Sequence, residues 1–327
     1  MWLYLSDGFK TLGLAVDPGN KLEDNVRVVI TGATGLIGTQ LVQHLDKKKH
    51  FVTVLSRNPQ HAKFSNTVNV HYWDGETLGD WVSILESADA VINLAGENIG
   101  SGRWSKVKKQ RILESRMKSG KILTAAFKSV QTPPRLLIQS SAIGIYGTSL
   151  DKVFDEDSQV GQDWLAQIGK AWEGSTVDVE ALGVRRVVVR TGVVLDKNGG
   201  AFPLIYLPFQ YYIGGKLGSG QQWVSWIHLQ DVVHAIESIL EDESIDGVIN
   251  LTSPNPVTNA EFGKTIAMVT RRPYWLPVPG FALRFLLGEQ SILVLKGQNV
   301  LPKRLLDHKF EFQYPLLPGA LRSVLTK

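Results

Sequence analysis

The chain alternates between short runs of consecutive apolar residues and longer segments in which apolar residues recur every three or four positions. Uninterrupted apolar runs rich in β-branched residues are typical of strands that are buried on both faces of a sheet. These runs predict strands at 26–30, 51–55, 68–73, 90–94, 135–139 and 186–190. The spacing of three and four predicts helices at 36–45, 104–129 and 163–182. Strands that alternate with helices indicate an α/β fold with a doubly wound parallel sheet.

The pattern changes after residue 195. A glycine-rich segment at 214–220 and a proline-rich segment at 273–279 precede two apolar helical segments, while residues 248–251 predict a further strand that returns to the sheet. We therefore divide the chain into an N-terminal arm (1–25), a core (26–195) and a mixed segment (196–327) that ends in a small C-terminal cap domain at about 270–322.

Composition excludes several classes of protein. Hydrophobic residues make up 43% of the 327 residues and charged residues 20%, so the chain is neither disordered nor fibrous. There is no Cys, which excludes a thiolate nucleophile and a thiolate metal site. The seven His residues are scattered without ligand spacing, and we expect no metal site.

Charge and hydropathy bear on partners and location. The net charge of +4 is too small to indicate a nucleic-acid partner. No apolar run approaches the ~20 residues that a membrane span needs, so we expect no membrane partner. Residues 1–25 lack the basic and apolar regions of a targeting peptide, and we expect a cytoplasmic protein. The oligomeric state is left open.

A glycine-rich loop, TGATGLIG at 31–38, joins the first predicted strand to the first predicted helix. Gly32 permits a tight turn, Gly35 permits backbone N–H groups to approach a pyrophosphate, and Gly38 permits the helix to pack closely on the sheet. Together with Thr34, Leu36 and Ile37, these residues predict a dinucleotide site. A glycine-rich turn without a ligand is the alternative.

The end of the second predicted strand indicates which dinucleotide is bound. An acidic residue there bonds the ribose 2′-OH of NAD, whereas an arginine accommodates the 2′-phosphate of NADP. This chain has Ser56 and Arg57 at that place, and a hydroxyl beside a guanidinium suits a phosphate dianion. We therefore predict NADP(H) as the cofactor. The alternative is that Arg57 is merely a solvated surface charge.

Longer motifs spread over residues 26–322 carry a family resemblance. They are ITGATGLIG (30–38), NLAGENI (93–99), SSAIGIYG (140–147), DWLAQIGKAWE (163–173), RTGVVLDKNGGAF (190–202), GGKLGSGQQWVSWIHLQDVV (214–233) and KGQNVLP (296–302). They resemble the extended short-chain dehydrogenases/reductases, and within them the atypical SDR39U group, an epimerase family sometimes labelled SulA-like. The resemblance implies a Rossmann-type NADP-binding domain with a small C-terminal domain over the cleft.

The same resemblance suggests further cofactor contacts. Leu94 and Ala95, where the fourth strand breaks, would line the cofactor. Arg116 matches a position from which a side chain could reach a cofactor phosphate, and Val194 would lie near the nicotinamide. Each residue also has a simpler interpretation: Leu94 and Val194 as ordinary core residues, and Arg116 as a surface charge.

One segment is strongly basic. Residues 101–135 contain ten Lys and Arg residues against a single acid, Glu114. One interpretation is a solvated helix face, and another is a positive field near an anionic cofactor or substrate. A nucleic-acid site has less support, because no recognisable binding module accompanies the charge.

The catalytic residues match the family pattern only in part. The superfamily uses a Tyr-x-x-x-Lys pair in which the lysine lowers the pKa of the phenol. Lys170 matches the lysine, but Ala166 stands where the tyrosine belongs. Tyr146, after the fifth strand, is a candidate acid or base, with a wall residue as the alternative, and Ser141 could polarise a carbonyl.

Two functions remain open at this stage. The first is an NADP(H)-dependent oxidoreductase or epimerase that acts on a small-molecule carbonyl or alcohol substrate. The second is a non-catalytic NADP(H)-binding sensor or regulatory protein, which Ala166 favours.

Overall fold

The structure is a computed structural model that describes residues 25–325, so the predicted arm lies outside the described residues except for Asn25. The strands in chain order are β1 (Arg27–Thr31), β2 (Phe51–Ser56), β3 (Asn69–Tyr72), β4 (Ala90–Asn93), β5 (Leu136–Ala142), β6 (Val153–Phe154), β7 (Arg185–Thr191), β8 (Val193–Leu195), β9 (Trp223–Val224), β10 (Trp226–His228), β11 (Gly247–Leu251), β12 (Val257–Thr258) and β13 (Asn299–Val300). The α-helices are α1 (Leu36–Lys47), α2 (Lys106–Ser129), α3 (Trp164–Gly174), α4 (Phe202–Gln210), α5 (Leu229–Glu241), α6 (Asn259–Thr270), α7 (Gly280–Leu287), α8 (Ile292–Leu295), α9 (Lys303–Asp307) and α10 (Leu317–Leu325).

Seven parallel strands form the central sheet in the order β11-β7-β5-β4-β1-β2-β3. β1 lies at the centre, with Thr31 paired to Leu55 of β2 on one side and to Asn93 of β4 on the other. The chain first builds outward through β2 and β3 and then crosses to β4 on the opposite side of β1. This reversal creates a crevice at the carboxyl ends of β1 and β4, where ligands bind in folds of this type.

Both faces of the sheet are covered, because successive residues of each strand point to opposite sides. One core contains Val28, Ile30 and Ile92 and packs against α1 and α5. The other contains Val29 and Val91 and packs against α2 and the 3₁₀ segments that flank it. The doubly wound parallel sheet expected from the sequence is thus confirmed.

Some element boundaries differ from the sequence predictions. The helix predicted to continue to 182 ends at Gly174 and is followed by a 3₁₀ helix at Val177–Leu182. Where the helix ends, the chain lies very close to α2: a Cβ at Gly120 of α2 would lie 1.9 Å from the Ser175 hydroxyl. The predicted returning strand is confirmed as β11, which pairs with β7.

The C-terminal third packs over one end of the sheet. Helices α4, α6 and α10 surround a separate apolar core that includes Phe202, Trp226 and Phe262. The pairing of β13 with β6 ties the end of the chain back to the loop after β5. None of the helices among residues 25–325 has the length and apolar character that a membrane span requires.

Candidate functional site

The turn between β1 and α1 needs glycine at two positions. Gly32 has φ of +69°, and a Cβ there would lie 2.6 Å from the carbonyl carbon and oxygen of Leu94. A Cβ at Gly38 would lie 2.6 Å from the carbonyl oxygen of Gly32. Both distances are far below van der Waals contact. The loop therefore packs directly against the end of β4, and the first turn of α1 packs against the loop. As a result, the backbone of the loop lies at the mouth of the crevice.

No side chain among residues 25–325 caps the N-terminus of α1. Gly35 occupies the N-cap position without a side-chain hydrogen bond, and the first turn contains no acid. The first-turn N–H groups, including those of Leu36 and Ile37, have no intrahelical acceptor and form the positive end of the helix dipole. Thr34 and Gly35 are exposed beside them. This arrangement suits an anionic ligand.

Ser56 and Arg57 end β2, the strand next to β1, and so lie at the same edge of the sheet. The Ser56 hydroxyl accepts a hydrogen bond of 3.2 Å from the backbone N–H of Asn58. Arg57 is exposed, and its guanidinium makes no hydrogen bond or ion pair within residues 25–325. A hydroxyl and an unpaired guanidinium therefore flank the crevice on its β2 side.

A buried row of polar side chains crosses the sheet near this edge, and sequence reasoning missed it. The Thr31 hydroxyl donates to the Asn93 side-chain oxygen over 2.7 Å, and the Asn93 amide donates to Gln139 over 2.9 Å. These residues are direct neighbours in the register of β1, β4 and β5. The only sequence signal is a polar residue within each apolar run. The row fixes the relative positions of the strand ends that form the crevice.

The remaining cofactor positions suggested by the resemblance occupy different environments. Leu94 and Ala95 are half-buried just beyond β4, and Val194 is half-buried in β8 beside Ile227. Leu94 and Val194 both pack against the main core. Leu94 and Ala95 directly follow β4 at the crevice, whereas Val194 is the middle residue of β8, which lies outside the central sheet. The packing of Leu94 and Val194 supports their interpretation as core residues.

Arg116 is buried beneath the loop that follows β4. Its guanidinium donates over 2.9 Å to the carbonyl oxygen of Glu97 and lies 4.6 Å from the ring centroid of Trp172. Burial lowers the pKa of Arg116 to about 10, although the carboxylate of Glu97 opposes that effect. In this position Arg116 supports the loop from below, and it is not the surface charge that one interpretation predicted.

Ser141 belongs to a buried ion-pair network. Its hydroxyl donates over 2.7 Å to the carboxylate of Glu173, which also accepts two hydrogen bonds of 2.8 and 2.9 Å from Arg190. Burial alone would lower the pKa of Arg190, but the hydrogen bonds and charge of Glu173 raise it above its ordinary value. Sequence reasoning missed both partners, since they lie on α3 and β7.

Tyr146 extends the same network. Its hydroxyl accepts a hydrogen bond of 2.9 Å from Arg190 and donates one of 2.8 Å to the side-chain oxygen of Asn250. Burial raises the pKa of Tyr146, an effect that outweighs the opposing charge of Arg190. The ring stacks on Phe154. The hydroxyl proton of Tyr146 is therefore directed at Asn250. Through its two hydrogen bonds, the Tyr146 side chain links the loop after β5 to β7 and β11.

The face of α3 that would carry a Tyr-x-x-x-Lys pair has only the lysine. Ala166 is fully buried, whereas Lys170 is exposed and makes no hydrogen bond within residues 25–325. Asp163, which precedes the helix, caps it by accepting a hydrogen bond of 2.9 Å from the Ala166 N–H. Among the three catalytic candidates, Lys170 is thus the one whose polar group faces solvent.

Acidic residues from other segments offset much of the charge of the basic segment. The pairs formed are Lys108 and Arg111 with Glu97, Lys109 with Glu289, Lys118 with Glu76, and Lys128 with Asp178. Arg103 donates to backbone carbonyl oxygens at the end of α7. These contacts favour the interpretation of a solvated, internally paired helix over that of a field directed at a ligand.

His228 and Asp231, at the start of α5, have structural roles. Asp231 is fully buried and accepts hydrogen bonds of 2.7 and 3.1 Å from the backbone N–H groups of Gln313 and Tyr314. His228 caps α5 and lies against the ring of Tyr314. The pair fastens the C-terminal segment to the first turn of α5.

A cluster of His50, Glu237 and Glu241 lies between the end of α1 and α5, with side-chain ligand atoms within 4.8 Å of one another. Sequence spacing did not reveal this cluster. Its groups have partners in the protein: His50 Nδ1 accepts the Val26 N–H over 3.1 Å, and Glu237 pairs with His44 at 2.8 Å. The acceptor role of Nδ1 places the ring proton on Nε2, which leaves His50 without a lone pair for a cation.

Comparison with known proteins agrees with this geometry. Residues 28–164 match the NAD dependent epimerase/dehydratase family, and residues 278–324 match a domain of unknown function, DUF1731. The first match covers the sheet from β1 to the start of α3, including the glycine-rich loop. The second covers the C-terminal segment from just before α7 to α10.

Relatives match nearly the whole chain. The epimerase family protein YfhF of Bacillus subtilis is 42% identical over 301 residues, which are 92% of this chain and 98% of that protein. The chloroplastic SDR39U1 homolog of Arabidopsis thaliana is 42% identical over 308 residues, which are 93% of this chain and 88% of that protein.

Solved structures give the same result. A crystal structure of human SDR39U1 with NADPH has a TM-score of 0.82 and 34% identity, and the match covers 92% of this chain and 99% of that one. A nucleoside-diphosphate sugar epimerase from Corynebacterium glutamicum has a TM-score of 0.75 and 29% identity, and covers 92% of this chain and 58% of that one. The resemblance drawn from sequence motifs is confirmed: the chain belongs to the SDR39U1-like epimerase family, an atypical branch of the NAD dependent epimerases and dehydratases.

Proposed function

We propose that the protein binds NADP(H) and uses it as an oxidoreductase or epimerase on a small carbonyl or alcohol substrate. The observation that carries the proposal is the uncapped N-terminus of α1, which opens into the crevice between β1 and β4. The crystal structure of the human relative with NADPH supports the choice of cofactor.

The residues present fit a dinucleotide with a 2′-phosphate. The N–H groups at the start of α1 would hold the pyrophosphate, because Gly35 at the N-cap carries no side chain that could cover them. Ser56 and Arg57 would hold the 2′-phosphate, and no acid at the end of β2 would repel it.

The bound cofactor would supply hydride transfer, and the chain would orient the substrate beside it. Lys170 is the candidate that would contact substrate or ribose, since its ammonium is exposed on the face of α3 where a catalytic lysine belongs. Ser141 and Tyr146 would act as positioning residues, because their hydroxyls bind Glu173 and Asn250 within the protein.

Cofactor binding is tested by Gly35→Val. Gly35 has φ of −79°, which valine also adopts, so the fold should tolerate the change while the new side chain blocks the pyrophosphate. We expect NADPH affinity to fall by at least about tenfold in calorimetry with little change in melting temperature. Gly174→Val is the matched control, because a Cβ at Gly174 has no neighbour within 4 Å. Unchanged affinity in Gly35→Val would refute the phosphate site.

The choice of NADP over NAD is tested by Arg57→Ala. Loss of a charge-assisted contact to phosphate should weaken NADPH binding by about tenfold while NADH binding stays the same. An equal effect on both nucleotides would contradict the role given to Arg57.

A second candidate is an NADP(H)-binding sensor without catalysis. The observation that favours it is the buried alanine at position 166 together with the internal hydrogen bonds of Ser141 and Tyr146. Purified protein loaded with NADPH should be screened for oxidation of the nucleotide by a library of small carbonyl compounds. Turnover that Lys170→Ala removes supports the enzyme, whereas tight binding without turnover supports the sensor.

A further inference from the structure

The C-terminal third carries a concentration of exposed large apolar side chains. On α7, which has no buried residue, Phe281 is 73% exposed and Phe285 82%. Nearby in sequence Trp275 is 62% exposed, and Tyr211 is 69% exposed just after α4. We call ten of the exposed apolar residues the apolar surface: Leu204, Leu207, Tyr211, Tyr212, Ile213, Trp275, Leu276, Phe281, Phe285 and Leu286.

Hydrogen bonds and close packing fix the backbone in two parts of this surface, the Tyr212–Trp275 pair and α7. The Trp275 ring donates a hydrogen bond of 2.8 Å to the carbonyl oxygen of Tyr212, and its backbone N–H donates one of 2.9 Å to Gly214. Helix α7 is fixed at both ends. Gly280 begins it against Gly218, and Arg103 donates hydrogen bonds of 2.8 to 3.0 Å to carbonyl oxygens at its C-terminus. The aromatic side chains are therefore held outward by a fixed backbone.

The charge of this region is mainly positive. The two segments that form the surface, 201–230 and 262–288, contain no Asp or Glu and five cationic side chains: Lys216, Lys264, Arg271, Arg272 and Arg284. The exposed acids Glu261 and Glu289 lie directly outside these segments, and Glu289 pairs with Lys109. Arg272 lies within the surface, with its guanidinium 4.0 Å from the ring centroid of Tyr212. Aromatic and aliphatic side chains with an excess of cations are typical of proteins that lie on anionic lipid.

A second copy of the chain suits this surface less well. A two-fold dimer places the same patch of each subunit against itself, so its five cations would face cations, with only Glu261 and Glu289 at the edges to offset them. An anionic lipid headgroup provides the opposite charge, and the acyl boundary accepts the aromatic rings. The expectation that the protein has no membrane partner came from the lack of a spanning segment, which does not bear on binding at the interface.

We propose that the apolar surface docks the protein onto the interface of membranes that contain anionic phospholipid, with α7 and the Tyr212–Trp275 pair inserted at headgroup level. No residue of the apolar surface belongs to the glycine-rich loop or to the candidate catalytic residues. The proposal is therefore independent of the proposed catalytic function.

The test is sedimentation of the full-length protein with vesicles of phosphatidylcholine alone and with about one third phosphatidylglycerol. We expect binding to the anionic vesicles only, weakened by about tenfold in the double variant Phe281→Ser/Phe285→Ser and again by added salt. Trp275→Ser tests the second part of the surface in the same way. Phe51→Ser is the matched control, since Phe51 is 58% exposed at the start of β2, and it should bind like the unaltered protein.

Three results would overturn the proposal. The first is no binding to either vesicle, and the second is equal binding by the Phe281→Ser/Phe285→Ser variant. The third is a dimer, detected by light scattering, that this variant dissociates while the vesicles bind neither form. NADPH affinity measured on the same samples should not change, which separates failure of this proposal from failure of the cofactor site.

Discussion

The ion pair between Glu173 and Arg190 provides a sharp test of how the interior beside the candidate site is built. Glu173 accepts hydrogen bonds from Ser141 and from two nitrogens of Arg190, and the side chains of the pair are only 15% and 6% exposed. The substitution Glu173→Gln keeps the size and one acceptor oxygen. It removes the charge and places an N–H₂ group where a guanidinium nitrogen already donates.

The expected magnitude follows from that geometry. Removal of one partner from a buried ion pair costs about 3–5 kcal/mol, because the other charge remains buried without compensation. The retained acceptor oxygen places Glu173→Gln near the lower value, about 3 kcal/mol. At about 1.5 °C per kcal/mol for a chain of this size, the melting temperature should fall by about 4–5 °C.

The assay is thermal unfolding followed by circular dichroism, and Glu180→Gln is the matched control. Glu180 forms an ion pair with Arg186, but its side chain is 51% exposed. Loss of this pair should cost at most about 1 kcal/mol. If Glu173→Gln and Glu180→Gln lower the melting temperature equally, the view that the Glu173–Arg190 pair is a buried structural element is refuted.

Three further predictions concern neighbouring residues. Tyr146→Phe removes a hydroxyl that binds Arg190 and Asn250 and should lower unfolding free energy by about 1–3 kcal/mol with unchanged NADPH affinity; full stability with lost turnover would instead identify a proton donor. Glu156 is a buried carboxyl, and one of its oxygens has no hydrogen-bond partner among residues 25–325. Burial raises the pKa of Glu156 above 4.5. The contribution of Glu156 to the free energy of unfolding is therefore fully present below pH 4.5 and is lost as the pH rises through the folded-state pKa. Glu156→Gln should therefore flatten the pH dependence of the melting temperature above pH 4.5, and a profile identical to that of the unaltered protein would contradict the assignment. Asp163→Ala removes the cap of α3 and should cost about 1 kcal/mol in urea unfolding, whereas a neutral result would show that the cap is dispensable.

The sequence alone was sufficient to predict the sheet and the glycine-rich turn between β1 and α1. Apolar runs such as 26–30 identify buried strands because burial on both faces leaves no polar alternation. The spacing of the glycines identifies the turn because Gly32 and Gly38 each meet a local backbone requirement. The motifs that followed were specific enough to identify the family.

Tertiary structure decided how the polar side chains in and around the site are used. Ser141 and Ser140 are adjacent in sequence, but strand geometry sends them to opposite faces, and only the position of α3 shows that Ser141 binds Glu173. Tyr146 is 44 residues from Arg190 and 104 residues from Asn250 along the chain, so no local pattern reveals the hydrogen bonds between them. The same holds for the register that aligns Thr31, Asn93 and Gln139. Strands and glycine loops are determined by neighbours a few residues away, whereas these networks exist only after distant strands have paired.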